Sequence, residues 1–173
     1  MADGVTRWAT SDVESFRVWA AHTQGRLLRT AVLLAGDHQR AEDLVQEALF
    51  KVALRWRRLR DGHPEAYARQ VLVHDNISWW RKHRREVLVE PPEGPPVDPG
   101  IATDRRLLLD RSLAALTPRQ RAVVVLRFYE DLSEADTAEA MGCSVGTVKS
   151  QTHDALRRLR GLLPAIVKNP TEV

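Results

Sequence analysis

Apolar residues recur at helical spacing through most of the chain. Leu27, Leu28, Ala31 and Leu34 form one run and Leu44, Val45, Ala48, Leu49 and Val52 the next, three and four apart as one face of an α-helix requires. No alternation with a period of two competes with them. "AGDHQR" separates the runs as a helix-to-helix turn, and "RDGHPEA" is a second turn that opens a helix from about Glu65 toward Arg85. The pattern predicts a first domain built as a bundle of about four helices.

Periodicity fails in "VEPPEGPPVDPG", Val89 to Gly100, where five prolines and two glycines remove donors and fix backbone angles. This is a linker reading. Beyond it, Leu107, Leu108, Leu109, Leu113 and Leu116 mark one helix, and Thr117 before Pro118 is an N-cap with proline in the first helical position. The helix that follows should run to about Tyr129. Ser133 with Asp136 three residues on then starts a short helix ending at Gly142, and Ser144 caps a last helix through about Leu163. Two helices about a glycine-bearing turn make a helix-turn-helix. The expected fold is all-α: two small helical domains, residues 1–88 and 105–173, joined by a Pro-rich acidic linker over 89–104.

Composition changes this picture little. A hydrophobic share of 43% suffices for ordinary cores, and a net charge of +3 is too small to argue for nucleic acid by itself. Its distribution is more telling: 15 basic and 12 acidic residues up to Glu90, none and 3 from Pro91 to Asp104, then 11 and 8 to the end. Both ends are basic and the middle acidic. Cys143 stands alone, which excludes an internal disulfide and a multi-cysteine metal site. The N-terminus lacks the apolar core of a signal peptide, and no run approaches the ~18 apolar residues of a membrane span, so a cytoplasmic chain without membrane insertion is expected. The histidines show no paired metal spacing, Cys143 has no evident activating partner, and no phosphate-cradling glycine loop is present. Neither catalysis nor a cofactor is expected.

Three stretches carry candidate chemistry. On the last helix, steps of 100° place Val145, Val148, Thr152, Ala155, Leu156 and Leu159 on one side and Gly146, Thr147, Ser150, His153, Asp154 and Arg157 on the other. Short polar groups at the start of a helix suit the major groove, although an ordinary solvated face has the same pattern. On the helix of Leu44 to Val52, the face opposite the core carries Asp43, Gln46, Glu47, Phe50 and Leu54. Either this is a protein-binding patch, or Phe50 packs against an N-terminal helix carrying Phe16 and Trp19. In "SWWRKHRRE", Trp79 and Trp80 precede Arg81, Lys82, His83, Arg84 and Arg85, which suits base stacking and phosphate contact or else a core anchor and a charged helix end. Lys51, Arg55, Arg57, Arg58 and Arg60 around Trp56 are a second basic cluster, open to the same two readings.

With these motifs in place, the chain from about Asp12 to Leu163 resembles bacterial RNA polymerase sigma factors of the extracytoplasmic-function type. "GDHQRAEDLVQEAL" is similar to the part of sigma region two that binds the clamp helices of the polymerase beta-prime subunit. "LTPRQRAVVVLRFYEDLSEADTAEAMGCSVGTVKSQTHDALRRLR" is similar to sigma region four. The resemblance implies a promoter-specificity subunit with no catalysis of its own. Core polymerase would be met through Asp43, Gln46, Glu47 and Phe50 on the beta-prime clamp helices, with the beta flap as a further contact. The minus ten element would be met by His74, Asn76, Trp79, Arg81, Lys82, Arg84 and Arg85, and the minus thirty-five element by Ser144, Gly146, Thr147, Lys149, Ser150, His153 and Arg157. An anti-sigma protein is a further partner of the kind the family uses. Of the adjacent tryptophans, Trp80 is expected to face the core, with Ile77 three residues before it, and Trp79 the DNA. His74 stands where many relatives carry asparagine, and Gln151 and Asp154 where arginine or lysine is frequent, so promoter preference does not carry over. Little follows Leu163, and no C-terminal sensory domain is expected. A stand-alone helix-turn-helix regulator is the alternative, though no heptads or dimer helix support one.

Overall fold

Local signals set the helix boundaries, and the computed structural model describes residues 10–83 and 104–167, with side chains over 10–83 and 108–161. Helix α1 runs Thr10–Ala35, α2 His38–Leu54, α3 Trp56–Leu59 and α4 Pro64–His83. Beyond the gap come α5 Asp104–Ala114, α6 Pro118–Val124, a π-helical turn Val125–Tyr129, α7 Glu134–Met141 and α8 Val145–Val167. No strand occurs among the described residues. The expected linker, Val89 to Gly100, lies outside them, as do Arg84 and Arg85.

Between α1 and α2 the chain turns at Gly36, whose φ of 78° favours glycine, and Asp37 then caps α2 by accepting from the Arg40 amide at 2.7 Å. Thr117 and Gln120 form a reciprocal capping box at the start of α6. Ser133 accepts from the Asp136 amide at the start of α7, Gly142 ends that helix in the left-handed region at φ 61°, and Ser144 accepts from the Thr147 amide to start α8. The caps expected from sequence are all present.

Packing follows the same faces. Leu27, Ala31 and Leu34 of α1 meet Leu44, Val45, Ala48 and Val52 of α2 and Val71, Leu72 and Val73 of α4 in one buried cluster. Beside it, Phe16, Trp19 and Trp56 pack ring against ring with centroids 5.4–5.9 Å apart, and the buried Trp56 donates from Nε1 to Ser15 Oγ at 2.8 Å. Asp12, buried at the start of α1, receives Arg57 at 2.9 Å and Arg60, tying α1 to α3.

The two helical units do not stand apart. Ala122, Val125, Leu126 and Ala140 belong to the same buried cluster as Leu27, Leu34 and Leu72. Arg121 of α6 donates from Nε to the carbonyl of Leu33 in α1, and Glu130 accepts from Thr30 Oγ1 while facing Arg69 of α4 at 3.6 Å. A Pro-rich stretch between two periodic regions gives no sign of this docking, because long-range pairs leave no local pattern.

Candidate functional site

The outward face of α2 is as its spacing requires. Leu44, Val45, Ala48 and Val52 are buried, whereas Asp43, Gln46, Glu47 and Phe50 are exposed, Phe50 by 57%. Leu54 continues the apolar patch at 66% exposure. Phe16 and Trp19 are engaged with Trp56, so the alternative in which Phe50 packs against them is excluded. Carboxylates, an amide and a phenyl ring thus share one solvent-facing strip.

Neighbouring basic residues are largely occupied within the bundle. Lys51 reaches Asp75 at 2.8 Å and Glu47 at 3.3 Å; the hydrogen bond to Asp75 holds its ammonium above the ordinary range. Arg55 bonds the Tyr67 hydroxyl and lies over its ring, 5.1 Å from the centroid, and Arg57 and Arg60 hold Asp12. For these residues the structural reading of the basic cluster prevails over phosphate contact.

Helix α4 corrects two expectations. Asn76 is 1% exposed and donates from Nδ2 to the Leu34 carbonyl at 3.1 Å, so it cannot touch DNA as placed. It lies one helical turn from Leu72 and Val73, on the core face, where a polar residue is tolerated because it satisfies a backbone carbonyl. The tryptophan pair does not divide into one buried and one free ring: both are half-buried. Burial along α4 ends at Asn76, so the last turn has no core for Trp80 to enter. Trp79 instead stacks on His83 at 4.4 Å between centroids, meets Trp80 edge-on at 5.1 Å and carries the Arg40 guanidinium 4.9 Å from its own centroid. His74, Arg81 and Lys82 are exposed.

In the helix-turn-helix, α8 packs on α6 and α7, and one face of α8 is left open. Val148 and Ala155 are buried, with Thr152, Leu156 and Leu159 half-buried beneath them, while Val145 lies outside at the first turn. Ser144, Gly146, Lys149, Ser150, His153 and Arg157 are exposed and Thr147 half-buried. Arg157 pairs with Asp154 at 3.0 Å and Lys149 with Glu134 at 3.6 Å, exposed contacts that are weak enough to exchange for phosphate. Asp12, Thr30, Arg121 and Glu130 were not singled out by sequence reasoning. Asp12 had only a helix-start position as a signal, and the other three had none.

An exposed polar face on the second helix of a helix-turn-helix, docked on a four-helix unit with an exposed aromatic and acidic strip, defines an all-α protein of the helix-turn-helix class. Residues 19–86 match the family model for sigma-70 region 2, and residues 106–159 that for sigma-70 region 4. The chain is 41% identical over 158 residues to an RNA polymerase sigma-E factor of Streptomyces coelicolor, covering 89% of each. It is 32% identical to the ECF RNA polymerase sigma factor SigL of Mycobacterium tuberculosis, covering 78% of this chain and 80% of that one. Among solved structures, the sigma factor RpoE in complex with the anti-sigma factor NepR from Bartonella quintana superposes with a TM-score of 0.68 at 26% identity, over 91% of this chain and 99% of the other. CnrH, solved with the cytosolic domain of CnrY, has the same fold at a TM-score of 0.60 and 19% identity, over 89% and 95%. The chain belongs to the sigma-70 family of RNA polymerase sigma factors, in its extracytoplasmic-function branch.

Proposed function

We propose that this sigma factor works as a non-enzymatic, cytoplasmic promoter-specificity subunit organised as residues 1–88, a linker over 89–104 and residues 105–173. Asp43, Gln46, Glu47 and Phe50 dock the beta-prime clamp helices of core polymerase, with the beta flap as a second contact. The exposed face of α8, from Ser144 through Gly146, Thr147, Lys149, Ser150 and His153 to Arg157, reads the minus thirty-five duplex in the major groove. Side chains of that size near a helix start let the backbone approach base edges, and the helix N-terminus favours phosphate. His74, Arg81 and Lys82, with Trp79 if it leaves its stack on His83, act at the minus ten element. Arg84 and Arg85 continue that basic run in sequence. Relatives solved with anti-sigma factors support such a protein as a further partner.

The observation that carries this reading is the exposed Phe50 among Asp43, Gln46 and Glu47 on a chain that also carries an open recognition face. Charged and aromatic groups together on a helix outside the core suit a protein partner. The test is run-off transcription by purified core polymerase with and without the chain. Promoter-directed transcripts only when the chain is present support the proposal; DNA binding without polymerase association would favour a stand-alone helix-turn-helix regulator.

A further inference from the structure

Resting on the sigma-factor reading above, we infer that Arg40 is a positioning residue for Trp79: from α2 it holds the indole in its stack on His83, and a minus ten base gains that ring only by displacing the guanidinium. Trp79 lies past the point where burial along α4 ends, so the core does not fix it. Three contacts do so instead. His83 stacks on the ring at 4.4 Å between centroids, Trp80 meets it edge-on at 5.1 Å, and the Arg40 guanidinium lies 4.9 Å from its centroid. His83 is seated in turn by Nδ1, which donates to the Trp79 carbonyl at 2.9 Å. Both His83 and Trp80 belong to α4 and travel with it. Of the three, only Arg40 reaches across from another helix, so it sets the ring against the bundle.

The surroundings of Arg40 give its side chain no other anchor among the described residues. Its Nε is buried without a hydrogen-bond partner, and its guanidinium makes no ion pair there. It also occupies the first turn of α2, three residues after the cap Asp37, where the positive end of the helix dipole disfavours a cation. Both features cost stability, and the face of Trp79 is what offsets them. A planar, weakly hydrated guanidinium suits that face.

A base stacks through the same π surface that Arg40 covers. Base stacking is the stronger of the two interactions, so the ring passes to a single strand once one is present, but Arg40 lowers the fraction of chains whose ring is open. The sign of this effect is distinctive. An arginine that holds a phosphate strengthens nucleic-acid binding, whereas one that covers a stacking surface weakens it.

The test is the affinity of core polymerase carrying the full chain for a single-stranded oligonucleotide with the minus ten segment of a promoter that the chain transcribes. Arg40→Met and Arg40→Gln keep much of the stem and remove the cation, so both should retain parental helicity and bind the strand on the order of 5-fold more tightly. Arg40→Lys, which keeps a cation, should stay within about 2-fold of the parent. In a Trp79→Ala background the same substitutions should bring no gain. Acrylamide quenching of the Trp79 fluorescence, taken as the difference from Trp79→Ala, should rise when the cation is removed. A folded Arg40→Met or Arg40→Gln chain with unchanged affinity and unchanged quenching overturns the inference, and weaker binding reassigns Arg40 to phosphate contact. Increased quenching together with no promoter-directed transcript from the parent keeps the hold of Arg40 on Trp79 and removes the sigma-factor reading.

Discussion

Replacing Asn76 by alanine should destabilise the protein rather than weaken a DNA contact. The truncation removes the hydrogen bond from Nδ2 to the Leu34 carbonyl and orphans that carbonyl beneath α4, where the site is 1% exposed. Leaving a buried acceptor unpaired costs ~1–3 kcal/mol, and the small void adds to this because the surroundings relax only partly. Against this, Asn76 Oδ1 has no protein partner among the described residues, so its desolvation cost is recovered on truncation. The net loss should be about 1–2 kcal/mol. For a chain of this length that corresponds to a fall of roughly 2–8 °C in melting temperature. Asn76→Asp should cost more, since it sets a carboxylate against a carbonyl at the negative end of α1. Thermal unfolding followed by circular dichroism reads the effect, and opening of a promoter template at a temperature where both proteins are folded reads the alternative. An Asn76→Ala protein that melts like its parent yet fails to open the template would refute the structural role and return Asn76 to the DNA-contacting set.

Trp56→Ala, in the ring cluster with Phe16 and Trp19, should lose ~3–5 kcal/mol of stability, whereas Trp79→Ala, giving up the Arg40 contact and the stack on His83, should lose ~0.5–2. Equal melting temperatures for the two variants would contradict the placement of Trp79 beyond the core. Ser150→Ala or Arg157→Ala should weaken binding to one promoter sequence by ~1–3 kcal/mol without changing polymerase assembly, read by competition between cognate and scrambled duplexes; an equal loss on both would reassign the residue to phosphate contact. Lys51, held above its ordinary 10.5 chiefly by its bond to Asp75, contributes stability that is fully present below 10.5 and is lost as pH rises through the raised value. Melting temperatures across that alkaline range should fall more steeply for the parent than for Asp75→Asn, and parallel curves would contradict the pairing.

What sequence made legible was local. The Thr117, Ser133 and Ser144 caps, the helix end at Gly142 and the Phe50 strip all follow from local residue types and from spacings of three, four or 100° per residue, which a single helix fixes by itself. Asn76 was legible too, since its spacing from Leu72 and Val73 puts it on the core face; resemblance to a DNA-contacting segment suggested otherwise. The tryptophan pair misled for a different reason. Angular spacing says which way two residues diverge, but not where along the helix the core ends. The pairing of Asp12 with Arg57, of Arg121 with Leu33 and of Glu130 with Thr30 spans 45, 88 and 100 residues, and no pattern within one helix can report such partners.

The central claim, that the exposed strip of α2 delivers this chain to core polymerase, is tested most directly by the equilibrium affinity of the full chain for purified core enzyme. Phe50→Ala combined with Glu47→Lys changes two side chains outside the core, so its helicity and melting temperature should stay parental. Truncating a central aromatic and reversing a neighbouring charge should weaken polymerase binding by at least ~100-fold, while affinity for free minus thirty-five duplex is unchanged. A folded variant that binds core polymerase as tightly as the parent would contradict the account.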